Sequence, residues 1–125
     1  MRLIGHGIDL VEVSRIEQML AEHGGRMLDR LFTAAERAEC DGDVRRATRY
    51  AARFAAKEAA LKALGTGLAS GITWQEVSII NDAAGAPKLI ITGRALEIAE
   101  SLGVSGSLVS LSHTKQHAIA SVILY

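Results

Sequence analysis

The chain alternates between stretches where apolar residues recur every second position and stretches where they recur every third or fourth, and each change marks an element. From Arg2 to Val13 the period is two, with Ile4, Ile8 and Leu10 on one side and Leu3, Val11 and Val13 on the other. A strand apolar on both faces is expected to be central in its sheet. Gly5, Gly7 and Asp9 share one side, where two glycines leave room for a ligand or another backbone to come close. Ser14-Arg15-Ile16-Glu17 fits a capping box, Ile16, Met19 and Leu20 continue in helical register, and Gly24-Gly25 reads as the stop. Arg15, Glu22 and Arg26 then face outward. Thr33-Ala34-Ala35-Glu36 is a second capping box, opening a short helix that ends near Asp41-Gly42-Asp43.

Nothing from Val44 to Leu64 is Gly or Pro, and Ala, Leu, Lys, Glu and Arg dominate, so one long helix is predicted, with Asp43 as N-cap and Gly65 just past its end. Ala52, Ala56, Ala59 and Ala63 form a face suited to close backbone approach, and Arg46, Arg49, Arg53 and Lys57 form a basic stripe. Thr73–Asn81 and Lys88–Thr92 read as a hairpin across Asp82–Pro87, Gly93–Leu102 as an amphipathic helix stopped by Gly103, and Leu108–His113 with Ala118–Leu124 as a closing hairpin. There is no repeat and no linker, and 125 residues fit one domain, 1–125.

Charge changes this picture little. Lysine plus arginine and aspartate plus glutamate both number 14, which gives no global field toward nucleic acid or a membrane surface. Apolar residues make up 49% of the chain, a share high enough in so small a domain to predict burial between subunits. A single cysteine, Cys40, excludes an internal disulfide and offers no metal spacing, which suits a reducing compartment. With no signal-like or membrane-length apolar run, a soluble cytoplasmic protein is expected.

The candidate chemistry is sparse. Glu58 lies between Phe54 and Leu61 on the long helix and needs a cation. Either it forms an i, i+4 pair with Lys62 or it meets a ligand. Asp9 is either a strand-end turn residue or an acid aimed into the space that the glycines open. Gly65-Thr66-Gly67 follows a helix rather than a strand, so it is no Walker loop; it is either a helix stop or a run of amides facing a phosphate. His113 ends a core-facing row with Val109 and Leu111, in a structural or a functional role.

In combination these pieces resemble a known family. Gly7-Ile8-Asp9-Leu10-Val11-Glu12-Val13 with Arg15-Ile16, Phe32-Thr33 with Glu36, Arg53-Phe54-Ala55-Ala56-Lys57-Glu58-Ala59 with Lys62-Ala63-Leu64-Gly65-Thr66-Gly67, Gly85 with Pro87, and Ser110-Leu111-Ser112-His113-Thr114 match, in order and spacing, the holo-(acyl-carrier-protein) synthases. These are small members of the 4′-phosphopantetheinyl transferase superfamily. The resemblance implies an α+β fold, with an antiparallel sheet packed against a long central helix, in a homotrimer whose sites lie at subunit interfaces. It implies Mg²⁺-dependent transfer of phosphopantetheine from coenzyme A to a serine of apo acyl-carrier protein, a step that serves fatty acid biosynthesis.

By the same resemblance Asp9 and Glu58 are the metal ligands, and Lys62 is a charge clamp at the pyrophosphate. The proton acceptor is open among Glu58, Lys62 and a metal-bound water. Arg53, Lys62, Gly65, Thr66, Gly67, Pro87 and His113 match positions around coenzyme A, with His113 reaching the neighbouring subunit's ligand, and Arg15 matches a contact to the carrier's acidic helix. The charges suit the chemistry, because a phosphorus under attack between anionic phosphates calls for positioning and neutralisation. Ala86 and Ser14 stand where relatives often carry a basic residue. Two rivals use the same residues: a metal-dependent phosphodiester hydrolase, and a non-catalytic carrier-binding subunit.

Overall fold

The structure is a computed structural model describing residues 1–125. The elements are β1 (Gly5–Glu12), α1 (Val13–Leu31), α2 (Ala34–Asp41), α3 (Arg46–Leu64), a 3₁₀ turn (Trp74–Glu76), β2 (Val77–Asn81), β3 (Pro87–Ile91), α4 (Gly93–Leu102), β4 (Ser107–His113) and β5 (His117–Leu124). All pairing is antiparallel, in a three-stranded sheet of order β1-β5-β4 and a two-stranded sheet β2-β3. Helix α3 packs against both sheets and against α1 and α2, so the expected α+β architecture around one long helix is observed.

The alanines of α3 explain how so thin a helix can be central. Ala51, Ala52, Ala55, Ala56, Ala59, Ala60 and Ala63 are all buried, and β1 lies directly on them. A Cβ built on Gly5 would fall 1.9 Å from the Ala63 carbonyl oxygen, and one on Gly7 would fall 1.8 Å from that of Ala59. The space opened by the two glycines is thus filled by helix backbone. Asp9, next along the same face of β1, is thereby registered against the α3 turn that carries Glu58 and Lys62.

The strand is not central, contrary to the period-two reading. β1 is an edge, β5 takes the middle, and the outer side of β1 is bare, with Ile8 52% and Leu10 62% exposed. Leu108 lies on the same face through Ile123, which pairs with both Leu108 and His6. The sequence carries apolar residues on both faces of β1, and a single chain covers only one of them.

Several boundaries also move. β1 runs into α1 without a loop, Glu12 is the N-cap position, and no side chain caps the helix. The Val13 amide, free at a helix start, donates instead to Gln116 O at 2.9 Å, which leaves Ser14 inside the helix. Gly24 takes φ 51° and ψ −127°, but the helix resumes beyond this kink because Met27, Leu28 and Leu31 bury themselves. Arg45, not Asp43, precedes α3; Asp43 accepts the Arg45 amide at 2.7 Å and forms the turn before it. The Thr33 capping box forms as expected. A further box on Thr73 makes the 3₁₀ turn and delays β2 to Val77.

Half of the basic stripe is not a surface. Lys57 and Glu36 are both fully buried and pair at 2.6 Å, and Arg53 pairs with Glu39 at 2.9 Å. Burial draws the Lys57 pKa down, and the Glu36 carboxylate opposes it. Burial also pushes the Cys40 thiol up to about 11, so this residue is inert packing.

Gly7→Ala is expected to cost about 3 kcal/mol or more, or to prevent folding, because neither backbone can give way. Gly25→Ala, with nothing within 4 Å of its Cβ, should shift stability by less than about 1 kcal/mol. Denaturant unfolding of the two variants checks the pair, and equal effects would contradict backbone contact as the determinant.

Candidate functional site

Two groups of polar residues flank α3. In the first, Lys62 near the C-terminal end of the helix donates to Asp9 Oδ1 at 3.1 Å and to Ile8 O at 2.9 Å. The cation that sequence spacing offers to Glu58 is therefore engaged by β1, and no Glu58–Lys62 ion pair forms. Glu58 is half-buried, and its carboxyl is raised above the usual glutamate range, first by burial and then by the charge of Asp9, against the opposing charges of Lys62 and Arg15. Arg15 itself lies over the Phe54 ring, 5.9 Å from its centroid, and Phe54 stacks obliquely on Trp74 at 5.2 Å.

Two carboxylates this close, one of them half-buried and raised by its neighbour's charge, suit a cation between them. Nowhere do three or more His, Cys, Asp or Glu converge as metal ligands. Asp9 and Glu58 would have to share the cation with non-protein oxygens, which is how Mg²⁺ is commonly held beside phosphates. The donor set fits a hard, phosphate-associated cation.

The second group is a cavity of about 350 Å³ between α3, the β2–β3 turn and the edge strand β4. It is lined by Arg45 just before α3, by Arg49 and Arg53 at four-residue spacing beyond it, and by Asn81, Pro87 and His113 among others. Its size is within the ~300–1,000 Å³ range of small-molecule sites, and three guanidinium groups make it a site for an anion. The Nε atoms of Arg49 and Arg53 are buried with no hydrogen-bond partner. Buried donors of this kind are normally satisfied, so they are ready for an acceptor that arrives with a ligand.

Residues 5–122 match the 4′-phosphopantetheinyl transferase superfamily. The chain belongs to this superfamily. A holo-[acyl-carrier-protein] synthase of Geobacter sulfurreducens is 45% identical over 122 residues, which span 98% of this chain and 97% of the relative. The crystal structure of the Neisseria meningitidis holo-[acyl-carrier-protein] synthase superposes with a TM-score of 0.89 at 31% identity, covering 99% of each chain. That of the Bacillus anthracis enzyme, in complex with CoA (3′,5′-ADP), gives a TM-score of 0.80 at 35% identity over 98% of this chain and 96% of the other. The resemblance read from the sequence is borne out.

Within this superfamily member, six of the residues matched by resemblance fall into the two groups just described. Asp9, Glu58 and Lys62 come together, as do Arg53, Pro87 and His113. Gly65, Thr66 and Gly67 behave differently from a phosphate-cradling loop. Gly65 takes φ 79°, and the amides of all three residues donate to Leu61 O or Lys62 O at 3.0 to 3.3 Å, closing the end of α3. The unsatisfied carbonyls of a helix terminus compete for those amides and win. Arg15 stands exposed at the rim of the Asp9–Glu58 group. Arg45, Thr48, Arg49, Asn81 and Ser110 also line the cavity and had no assigned role in the sequence. The i, i+4 spacing of Arg45, Arg49 and Arg53 was the available signal.

Because Lys62 is not its partner, Glu58 does not stabilise the fold through its charge. A carboxyl whose folded pKa lies above its unfolded value binds more protons folded than unfolded, so it lowers stability as pH rises from the ordinary glutamate value through the raised one. Glu58→Gln, unfolded without divalent metal, should therefore be at least as stable as the parent at pH 7, and this advantage should vanish as pH falls below the ordinary glutamate range. Destabilisation at pH 7 would restore the ion-pair reading.

Proposed function

We infer that the chain transfers the 4′-phosphopantetheine group of coenzyme A to a serine of an apo acyl-carrier protein, releasing adenosine 3′,5′-bisphosphate. The observation that carries this reading is the division of anion-binding chemistry into two parts: a carboxylate pair with one lysine, suited to a cation-bridged pyrophosphate, and a three-arginine cavity, suited to a phosphorylated nucleotide. Coenzyme A has both. The named relatives are synthases of holo carrier protein, and the Bacillus anthracis structure holds the co-substrate.

Asp9 and Glu58 would hold Mg²⁺, which when bound neutralises the pyrophosphate and so eases departure of the bisphosphate leaving group. Lys62 donates to a carboxylate and a carbonyl at once, so it acts as an ammonium that adds positive charge beside the phosphates and not as a base. Arg15, exposed at the rim, suits an acidic segment of the carrier. Arg53, Pro87 and His113 hold the nucleotide, and Gly65, Thr66 and Gly67 shape the turn beyond Lys62.

A single chain separates the two parts. Arg53 and Glu58 are five residues apart on α3, which rotates one from the other by about 140°, and the cavity includes neither Asp9 nor Lys62. The bare apolar face carrying Ile8, Leu10 and Leu108 supports association of copies. A homotrimer that sets the arginine cavity of one chain against the carboxylates of its neighbour unites the parts and covers that face.

Incubation with apo carrier, coenzyme A and Mg²⁺, followed by intact mass, is expected to show the carrier gaining one phosphopantetheine and no gain when Mg²⁺ is removed. Release of adenosine 3′,5′-bisphosphate without a carrier would identify a hydrolase instead. Carrier binding that ignores both coenzyme A and Mg²⁺ would identify a non-catalytic subunit.

A further inference from the structure

Helix α2 sends two carboxylates across to the free edge of β2. Glu36 Oε2 accepts the Ile79 amide at 2.9 Å, and Glu39 accepts the Asn81 amide with both oxygens, at 3.1 and 3.0 Å. A strand paired on one side only has amides to satisfy on the other, and these side chains do so in place of a third strand. Each carboxylate also holds a cation of α3: Glu36 takes Lys57, and Glu39 takes Nη2 of Arg53.

The two arrangements differ in what they border. Glu36 and Lys57 are sealed in the core and line no cavity. Glu39 is 26% exposed, and both of its partners, Arg53 and Asn81, are walls of the arginine cavity, one on α3 and one at the end of β2, paired with Pro87 at the start of β3. The Arg53 side chain is 4% exposed, is clamped at Nη2 by Glu39, and keeps a buried Nε with no partner. Glu39 itself does not line the cavity.

We propose that Glu39 is a positioning residue for the nucleotide end of coenzyme A, tying the Arg53 guanidinium to the Asn81 backbone so that the cavity walls keep a fixed spacing and Arg53 presents its remaining donors to the ligand. This rests on the coenzyme A reading above. Charge alone gives the opposite expectation, because a carboxylate beside an anion site repels the anion, and its removal should tighten binding. The sign of the effect therefore separates positioning from bulk electrostatics.

The test uses full-length Glu39→Gln and Glu39→Asp, with adenosine 3′,5′-bisphosphate as the calorimetric probe and steady-state transfer as the second readout. Glu39→Gln is expected to raise the Kd for the bisphosphate and the KM for coenzyme A by about tenfold, as for loss of a hydrogen bond between charged groups, with kcat and the KM for carrier within about twofold of the parent. In combination with Arg53→Ala it should add little, because the two residues act as one unit. Glu39→Asp keeps the charge on a shorter stem, should fall between the parent and Glu39→Gln, and serves alone if Glu39→Gln does not fold. Unchanged or tighter bisphosphate binding in the folded variants, or full additivity with Arg53→Ala, would overturn the proposal. A parent protein that transfers nothing would instead overturn the coenzyme A reading, and the binding arm keeps the two failures apart.

Discussion

Everything at the first site depends on how closely β1 approaches α3. With Cβ positions at Gly5 and Gly7 less than 2 Å from carbonyl oxygens of the helix, the strand has one place to lie and one face to present. The alanines opposite make the matching concession on the helix side. Asp9 is then not free to choose its neighbours, and Lys62 is drawn to it across the gap at 3.1 Å. Glu58 is left half-buried without a protein cation of its own. The strain of that arrangement is electrostatic, and a ligand that brings a cation relieves it.

A second set of constraints fixes α3 from the other side. Tyr50 donates to Asp41 at 2.5 Å, Lys57 is held by Glu36 and Arg53 by Glu39, so α2 fastens the helix along its length while also completing the edge of β2. Removing one member of a buried pair of this kind would strand a charge, which is why such pairs specify an arrangement more than they stabilise it. The long helix is thus located by backbone contact on one face and by buried charge on another.

The elements that obey local rules were legible in the sequence. The Thr33 capping box, the α4 limits at Gly93 and Leu102, the closing hairpin and the Gly65 terminus are governed by residues within a turn of one another. What was not legible depends on distant partners. Ser14 loses its cap role to a carbonyl at Gln116, Gly24 fails to stop a helix whose later residues have a core to enter, and Arg53 and Lys57 look like surface cations until α2 folds over them. The placement of β1 at an edge illustrates the same limit: its sequence was apolar on both faces, and the second face has no cover within one chain. At the candidate site, Asp9, Glu58 and Lys62 lie together. Gly65, Thr66 and Gly67 kept their amides for the helix, and Arg49, read only as part of a basic stripe, joined Arg53 in the cavity together with Arg45, which had not been singled out.

The central claim is that carboxylates and arginine cavity belong to one site made by two copies of the chain. Complementation between inactive variants tests it most directly. Glu58→Gln lacks one part and an Arg49→Ala/His113→Ala chain lacks the other, so mixed oligomers made by co-expression contain some interfaces where an intact carboxylate pair faces an intact cavity. The account predicts that neither variant alone transfers phosphopantetheine at a rate near that of the parent and that the mixture recovers a substantial part of it. Mixed oligomers, verified by tag-specific capture, that recover no activity would contradict a site shared between subunits.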